Sequence, residues 1–232
     1  MARIRVGIFG NYYGSLFSES RRLTNSEMQL NANYIRSYLT AEGWTLNAIA
    51  GLLGNAQHES ALNPGRWQSD NVGSTSSGYG LTQWTPASKY ISWCNDTGRV
   101  DPSEMDNNLA RLIYEVGAGV QYYKTPDYDY NFEEFTHSTK SPYELACAFA
   151  FNYERSWTVL YGTEAEKEVL RQKRGNSANY WYEFLSGENP TFPDDGEGGE
   201  GGSTDTTRKR AKFNFILLNA KRRRNTWKNR TH

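Results

Sequence analysis

Between about residues 24 and 187 apolar side chains recur at helical spacing, and outside those limits the recurrence stops. The first strong segment is "TNSEMQLNANYIRSYLTAEGW". Thr24 or Asn25 can cap its start, Met28, Leu30, Tyr34, Ile35 and Leu39 make its apolar stripe, and Gly43 closes it. Thr45 then caps "LNAIAGLLGNAQHESAL", which must stop at "NPG" because the residue before a proline is pushed out of the helical region. From Gly65 to Trp84 the chain is rich in Gly, Ser, Asn and Thr, a pattern for loops and a small hairpin. "PASKYISWCND", "SEMDNNLARLIYEVGAGVQYY", "NFEEFTHS", "SPYELACAFAFNYERS" and "SANYWYEFLSG" follow as further helices. The expected class is α+β, mostly α: a helical lobe with a small β element after its second helix.

This pattern divides the 232 residues into an aromatic, Gly-containing arm (1–23), a domain (24–187), an acidic Gly-rich linker (188–207) and a basic tail (208–232). The formal charge of zero hides a segregation. The tail holds ten Lys and Arg without an acid, and the linker holds six acids without a base. Subtraction from 26 of each leaves 16 bases and 20 acids elsewhere, so the domain has no basic field for nucleic acid. Cys94 and Cys147 match no metal or redox spacing, and with three histidines they make no convincing zinc set; buried free thiols are expected, with no metal and no cofactor. The first residues lack an h-region with a cleavage site, and no window is apolar enough to span a bilayer, so neither a signal peptide nor a transmembrane segment is expected.

Three stretches carry candidate chemistry. In "GNAQHESALNP" Glu59 falls about 20° from Leu52 on a helical projection, at the edge of the apolar stripe, where a covering loop could strip it of water. Desolvation and the negative end of the helix dipole both favour a carboxyl that keeps its proton, as a general acid for glycosidic cleavage requires. His58 projects the other way and is expected to face solvent. In "SSGYGLTQWTP", Gly78 and Gly80 flank Tyr79 in a tight turn, Gln83 offers an amide and Trp84 a flat apolar face, the means by which sugars are read. "ACAFAFNYERSW" has helical spacing suited to a core and ends in the phenol of Tyr153 and the carboxylate of Glu154.

In this order and spacing, "AIAGLLGNAQHESALNPGRWQ", "GYGLTQWTPASKYISW", "ELACAFAFNYERSW" and "ANYWYEFLSG" resemble the phage tail lysozyme family, the lysozyme domain of tail-tip or tail-knob proteins of short-tailed phages of Gram-positive bacteria. The resemblance runs from about Asn25 to Gly187. It implies a lysozyme-like fold and cleavage of the β-1,4 bond between N-acetylmuramic acid and N-acetylglucosamine in peptidoglycan. Carried over by position, Glu59 is the catalytic general acid, Gln83 belongs to the family's "GLxQ" motif, and Tyr153 and Glu154 match its "YER" ending. Tyr79, Gln83, Trp84, Tyr153 and Glu154 then form the sugar-binding set. For a second carboxylate Asp70 is the nearest candidate and Glu154 its rival, while lytic transglycosylases of related fold manage with one glutamate.

The resemblance further implies a virion component at the tail tip, made in the host cytoplasm and acting on the host wall during entry, with glycan strands and tail proteins as partners. A free endolysin, a lytic transglycosylase and a non-catalytic wall-binding tail module are the alternatives. In "RKRAKFNFILLNAKRRRNTWKNRTH" the centre reads as a short strand. The flanking charges fit a plain basic extension, a strand docking on a tail neighbour, or contact with anionic wall polymer, membrane headgroups or DNA. The arm is open between a plug into tail structure and disorder.

Overall fold

The computed structural model describes residues 3–6, 14–19 and 21–193. The rest of the linker and the whole basic tail, with its expected strand, lie outside the described residues. A capping box opens helix α1 (Asn25–Ala41): Thr24 accepts from the Glu27 amide and the Glu27 carboxylate accepts from Thr24 N–H. Helix α2 (Leu46–Ser60) starts on Thr45 and ends on Ala61 in the left-handed region. Then come α3 (Ala87–Asp96), α4 (Met105–Ala118), α5 (Phe132–Thr136), α6 (Pro142–Phe149), α7 (Trp157–Tyr161) and α8 (Glu164–Ser186). The expected α4 segment overran its end: Gly119, at φ 63°, takes the left-handed cap, and "VQYY" continues as loop.

α2 is the axis of the fold. Ala48 to Gln57 are all buried, and α6 and α8 pack against it. Ile49, Leu52 and Leu53 are sealed from solvent, each contributing roughly 1.5–3 kcal/mol by burial. Two glycines set the spacing. A Cβ on Gly54 would lie 2.6 Å from the Arg174 carbonyl oxygen and 2.8 Å from the Ala178 Cβ of α8, and one on Gly51 would lie 2.9 Å from the Leu145 Cβ of α6. Backbones at such close range leave room only for hydrogen.

The β structure is placed differently from the expectation. The segment 65–84 makes a short 3-10 turn (Gln68–Asp70) and single backbone bridges, Trp67 to Tyr79 and Tyr79 to Trp84, but no strand. A two-stranded antiparallel pair forms instead in the arm, β1 (Arg3–Val6) with β2 (Gly14–Phe17), Arg3 opposite Phe17. The end of the arm belongs to the core. Leu16 and Phe17 are buried, Asn31 of α1 exchanges hydrogen bonds with both backbone groups of Leu16, and Asn63 does the same with Ser18. Both cysteines are free and buried.

Candidate active site

A cleft of about 370 Å³ opens where α2, the 66–85 loop and the end of α6 meet. Its described lining includes Glu59, Gln83, Trp84, Tyr153 and Glu154, five of the seven residues singled out in the sequence. Glu59 stands in the last turn of α2, its side chain 27% exposed. The loop is fastened beside it by Ser60, whose hydroxyl donates to the Leu81 carbonyl (2.8 Å), and by Asn108 of α4, whose side-chain oxygen accepts from Leu81 N–H (2.8 Å). Gln83, at φ 52°, spends its amide N–H groups on the carbonyls of Arg66 and Gly80. Its first work is to hold the loop closed.

Tyr153 and Glu154 reach the cleft through a break in helical geometry. After Phe149 the chain widens into one π turn, Ala150–Glu154, closed by Arg155 N–H donating to the Ala150 carbonyl (2.9 Å). Such turns are rare and frequently mark functional sites, because the extra residue re-aims the side chains that follow. Here it aims Tyr153 at the floor and Glu154 at Glu59.

Glu59 and Glu154 share one guanidinium. Arg174 Nη2 lies 2.5 Å from Glu59 Oε1 and 3.6 Å from Glu154 Oε2. Burial, and then the charge and hydrogen bond of the adjacent Glu59 carboxyl, push the proton affinity of Glu154 well above the usual carboxylate range. With one proton between them, two carboxyls and one guanidinium sum to zero charge. Stripping that proton would leave a net negative charge in a desolvated place.

Beneath the cleft lies a carboxylate that sequence reasoning missed. Glu115 of α4 is sealed from solvent and accepts from the Trp84 indole (3.0 Å), the Tyr153 phenol (2.6 Å) and Arg111 Nε (2.8 Å). Burial raises its proton affinity against the lowering effect of those donors. It fixes the two aromatic walls from behind. A signal existed: Glu115 falls three residues after Leu112, on the apolar stripe of its helix, four residues from a complementary arginine. Arg174 had none, since it sits in a stretch of α8 whose polar sequence, "EKEVLRQKRGN", gave no stripe to read.

The other two candidates lie apart. Tyr79 is buried and does not line the cleft; its ring packs on Trp67 (centroids 4.3 Å) and towards Tyr90 (6.1 Å). Gly80, at φ 85°, turns the chain immediately after it and lets the tyrosine point inward. Asp70 is exposed, absent from the lining, and held by Arg66 Nη2 at 3.4 Å. His58 is not in open solvent as its projection indicated: α8 covers that side of α2, and His58 Nε2 is 2.9 Å from Ser177 Oγ.

A helical fold around a deep axial helix, with a half-buried carboxyl at that helix's end facing a polar cleft, defines a lysozyme-type architecture. The phage tail lysozyme family model matches residues 30–185, and the chain belongs to that family. It is 42% identical over 175 residues to morphogenesis protein 1 of Bacillus phage B103, covering 75% of this chain and 44% of that one. The chain therefore spans less than half the length of this relative.

Proposed function

We propose that the protein is a virion-associated, tail-tip muramidase that cuts the β-1,4 bond between N-acetylmuramic acid and N-acetylglucosamine during phage entry. The observation that carries this reading is the convergence of Glu59 and the buried Glu154 on Arg174 in a cleft whose walls include Trp84 and Tyr153, where burial raises the proton affinity of Glu154. Glu59, the more exposed of the two, gives that proton to the leaving glycosidic oxygen, and Glu154 is the store from which it is drawn. Water adds to the anomeric carbon and returns its own proton to the pair. Arg174 keeps the pair's charge balanced through the cycle. Neither metal nor cofactor enters this scheme. Among the described residues no group of three His, Cys, Asp or Glu is arranged to hold a metal ion, and no helix is long and apolar enough to cross a membrane.

One observation favours a second reading on the same site. A nucleophile or a base acting across the sugar stands about 5–9.5 Å from the acid. Glu154 converges with Glu59 on the same Arg174 nitrogen, at 3.6 Å and 2.5 Å, and so stands beside it on one side of the cleft, and the described lining of the cleft contains no other carboxylate. This suits a lytic transglycosylase, in which the substrate's own hydroxyl attacks and returns the proton. Fragments released from purified peptidoglycan in ¹⁸O-water separate the two. Labelled reducing ends are expected from the muramidase and unlabelled anhydro-muramic ends from the transglycosylase. Glu59→Gln is expected to slow either by about 10²–10⁴-fold, and binding without release by the full chain would leave a non-catalytic wall-binding module. Presence in purified particles, with loss of entry but not of lysis on Glu59→Gln, separates a virion enzyme from a free endolysin.

A further inference from the structure

Where the chain leaves the cleft, two segments tied by hydrogen bonds both carry exposed aromatic rings. Gln121 and Ser156 are the last lining residues on these segments. Just beyond them Tyr123 is 56% exposed, Trp157 67% and Tyr161 71%. The segments are tied together: Tyr123 N–H donates to the Asn152 carbonyl (2.8 Å), Gln121 Nε2 donates to the Tyr153 carbonyl (3.4 Å), and the Arg155 guanidinium lies over the Tyr123 ring at 4.7 Å. α7 buries none of its residues, and the Trp157 and Tyr161 rings lie 6.1 Å apart. Large rings left in water, held by short ordered segments at the rim of a cleft, form a contact surface with a direction.

We infer that Tyr123, Trp157 and Tyr161 form an aromatic ledge that continues the cleft and binds the β-1,4-linked glycan strand beyond the bond being cut. The inference rests on the glycan being the ligand of the cleft. A polymer cannot be contained in about 370 Å³ and must emerge somewhere. At Gln121 and Ser156 it emerges onto rings whose faces match the C–H faces of hexose rings and whose polar edges reach their hydroxyls. Continuity with the cleft makes the glycan, and not a neighbouring protein, the occupant.

The test is calorimetric binding of N-acetylglucosamine oligomers, trimer and hexamer, to the full chain carrying Glu59→Gln to prevent turnover, with and without Trp157→Ala and Tyr123→Ala. The expected result is a hexamer affinity weakened about tenfold by the two ledge substitutions together, a trimer affinity unchanged, and an unaltered thermal midpoint, since both side chains are exposed. Equal affinity for the hexamer with and without the substitutions overturns the ledge, as does an equal loss for trimer and hexamer. So does a variant that binds hexamer normally but no longer enters phage particles, which would assign the rings to a tail protein. The two readings fail separately. If the parent chain releases nothing from peptidoglycan while hexamer binding still depends on Trp157, the chemistry falls and the ledge stands; if release proceeds and the ledge variants bind like the parent, the ledge falls alone.

Discussion

Glu154 is the residue whose environment most constrains the chemistry. In the folded protein it keeps a proton that the unfolded chain releases near the ordinary 4.5. Above that pH the folded state binds more protons than the unfolded one, so stability falls as pH rises towards the raised folded value and is largest below 4.5. Glu154→Gln, which cannot ionise, is expected to abolish that slope. Urea unfolding at about pH 5 and pH 8 measures it, and a slope unchanged in the variant would place the proton elsewhere. Cleavage rate follows the same proton. It is expected to decline on the alkaline side in the parent and to be low throughout in the variant. Glu59 and Glu154 were both visible as polar endings of apolar helices. That they meet, and that Arg174 joins them, was not, because residues 59, 154 and 174 are brought together only by three helices packing.

At the scale of elements, the approach of α8 to α2 decides whether the site exists. Gly54 admits the α8 backbone at Arg174 and Ala178, so one added methyl must push the two helices apart. Gly54→Ala is expected to cost about 1–3 kcal/mol through overpacking, and to lower cleavage by more than the loss of folded protein explains because Arg174 retreats from the carboxyl pair. Thermal unfolding together with specific activity at a temperature where both proteins are fully folded separates these effects. The π turn is the other decisive element. Helical spacing through "ELACAFAFNYERS" was legible, yet a one-residue widening has no period of its own in the sequence and depends on what packs around it. The 66–84 loop is likewise legible as irregular, with its glycines at a tight turn, whereas the bonds by which Gln83 ties that turn to Arg66 and Gly80 follow from tertiary contact.

At the scale of the molecule, the arm is joined to the domain. Removing residues 1–18 would uncover the core that Leu16 and Phe17 close and strip Asn31 and Asn63 of buried partners. Two buried apolar side chains at roughly 1.5–3 kcal/mol each, with unsatisfied amides adding to the loss, make a destabilisation of about 4 kcal/mol or more the expected outcome. Chemical denaturation of the truncated chain measures it, and an unchanged midpoint would return the arm to a separate role. Periodicity missed this attachment because four-residue strands and lone asparagines carry too short a signal against the long helices beside them.

By itself the sequence determined the helical class, the cap at Thr45, the free thiols, and the family, because these follow from local spacing and from motifs kept in order. It placed Glu59 at a helix end for the same reason. Only the tertiary structure decided that Glu154 faces Glu59 through Arg174, that Glu115 braces Trp84 and Tyr153 from below, and that Tyr79 and Asp70 stay out of the cleft. Those outcomes depend on which distant surfaces are desolvated together, and desolvation is a property of packing that no local run of residues contains.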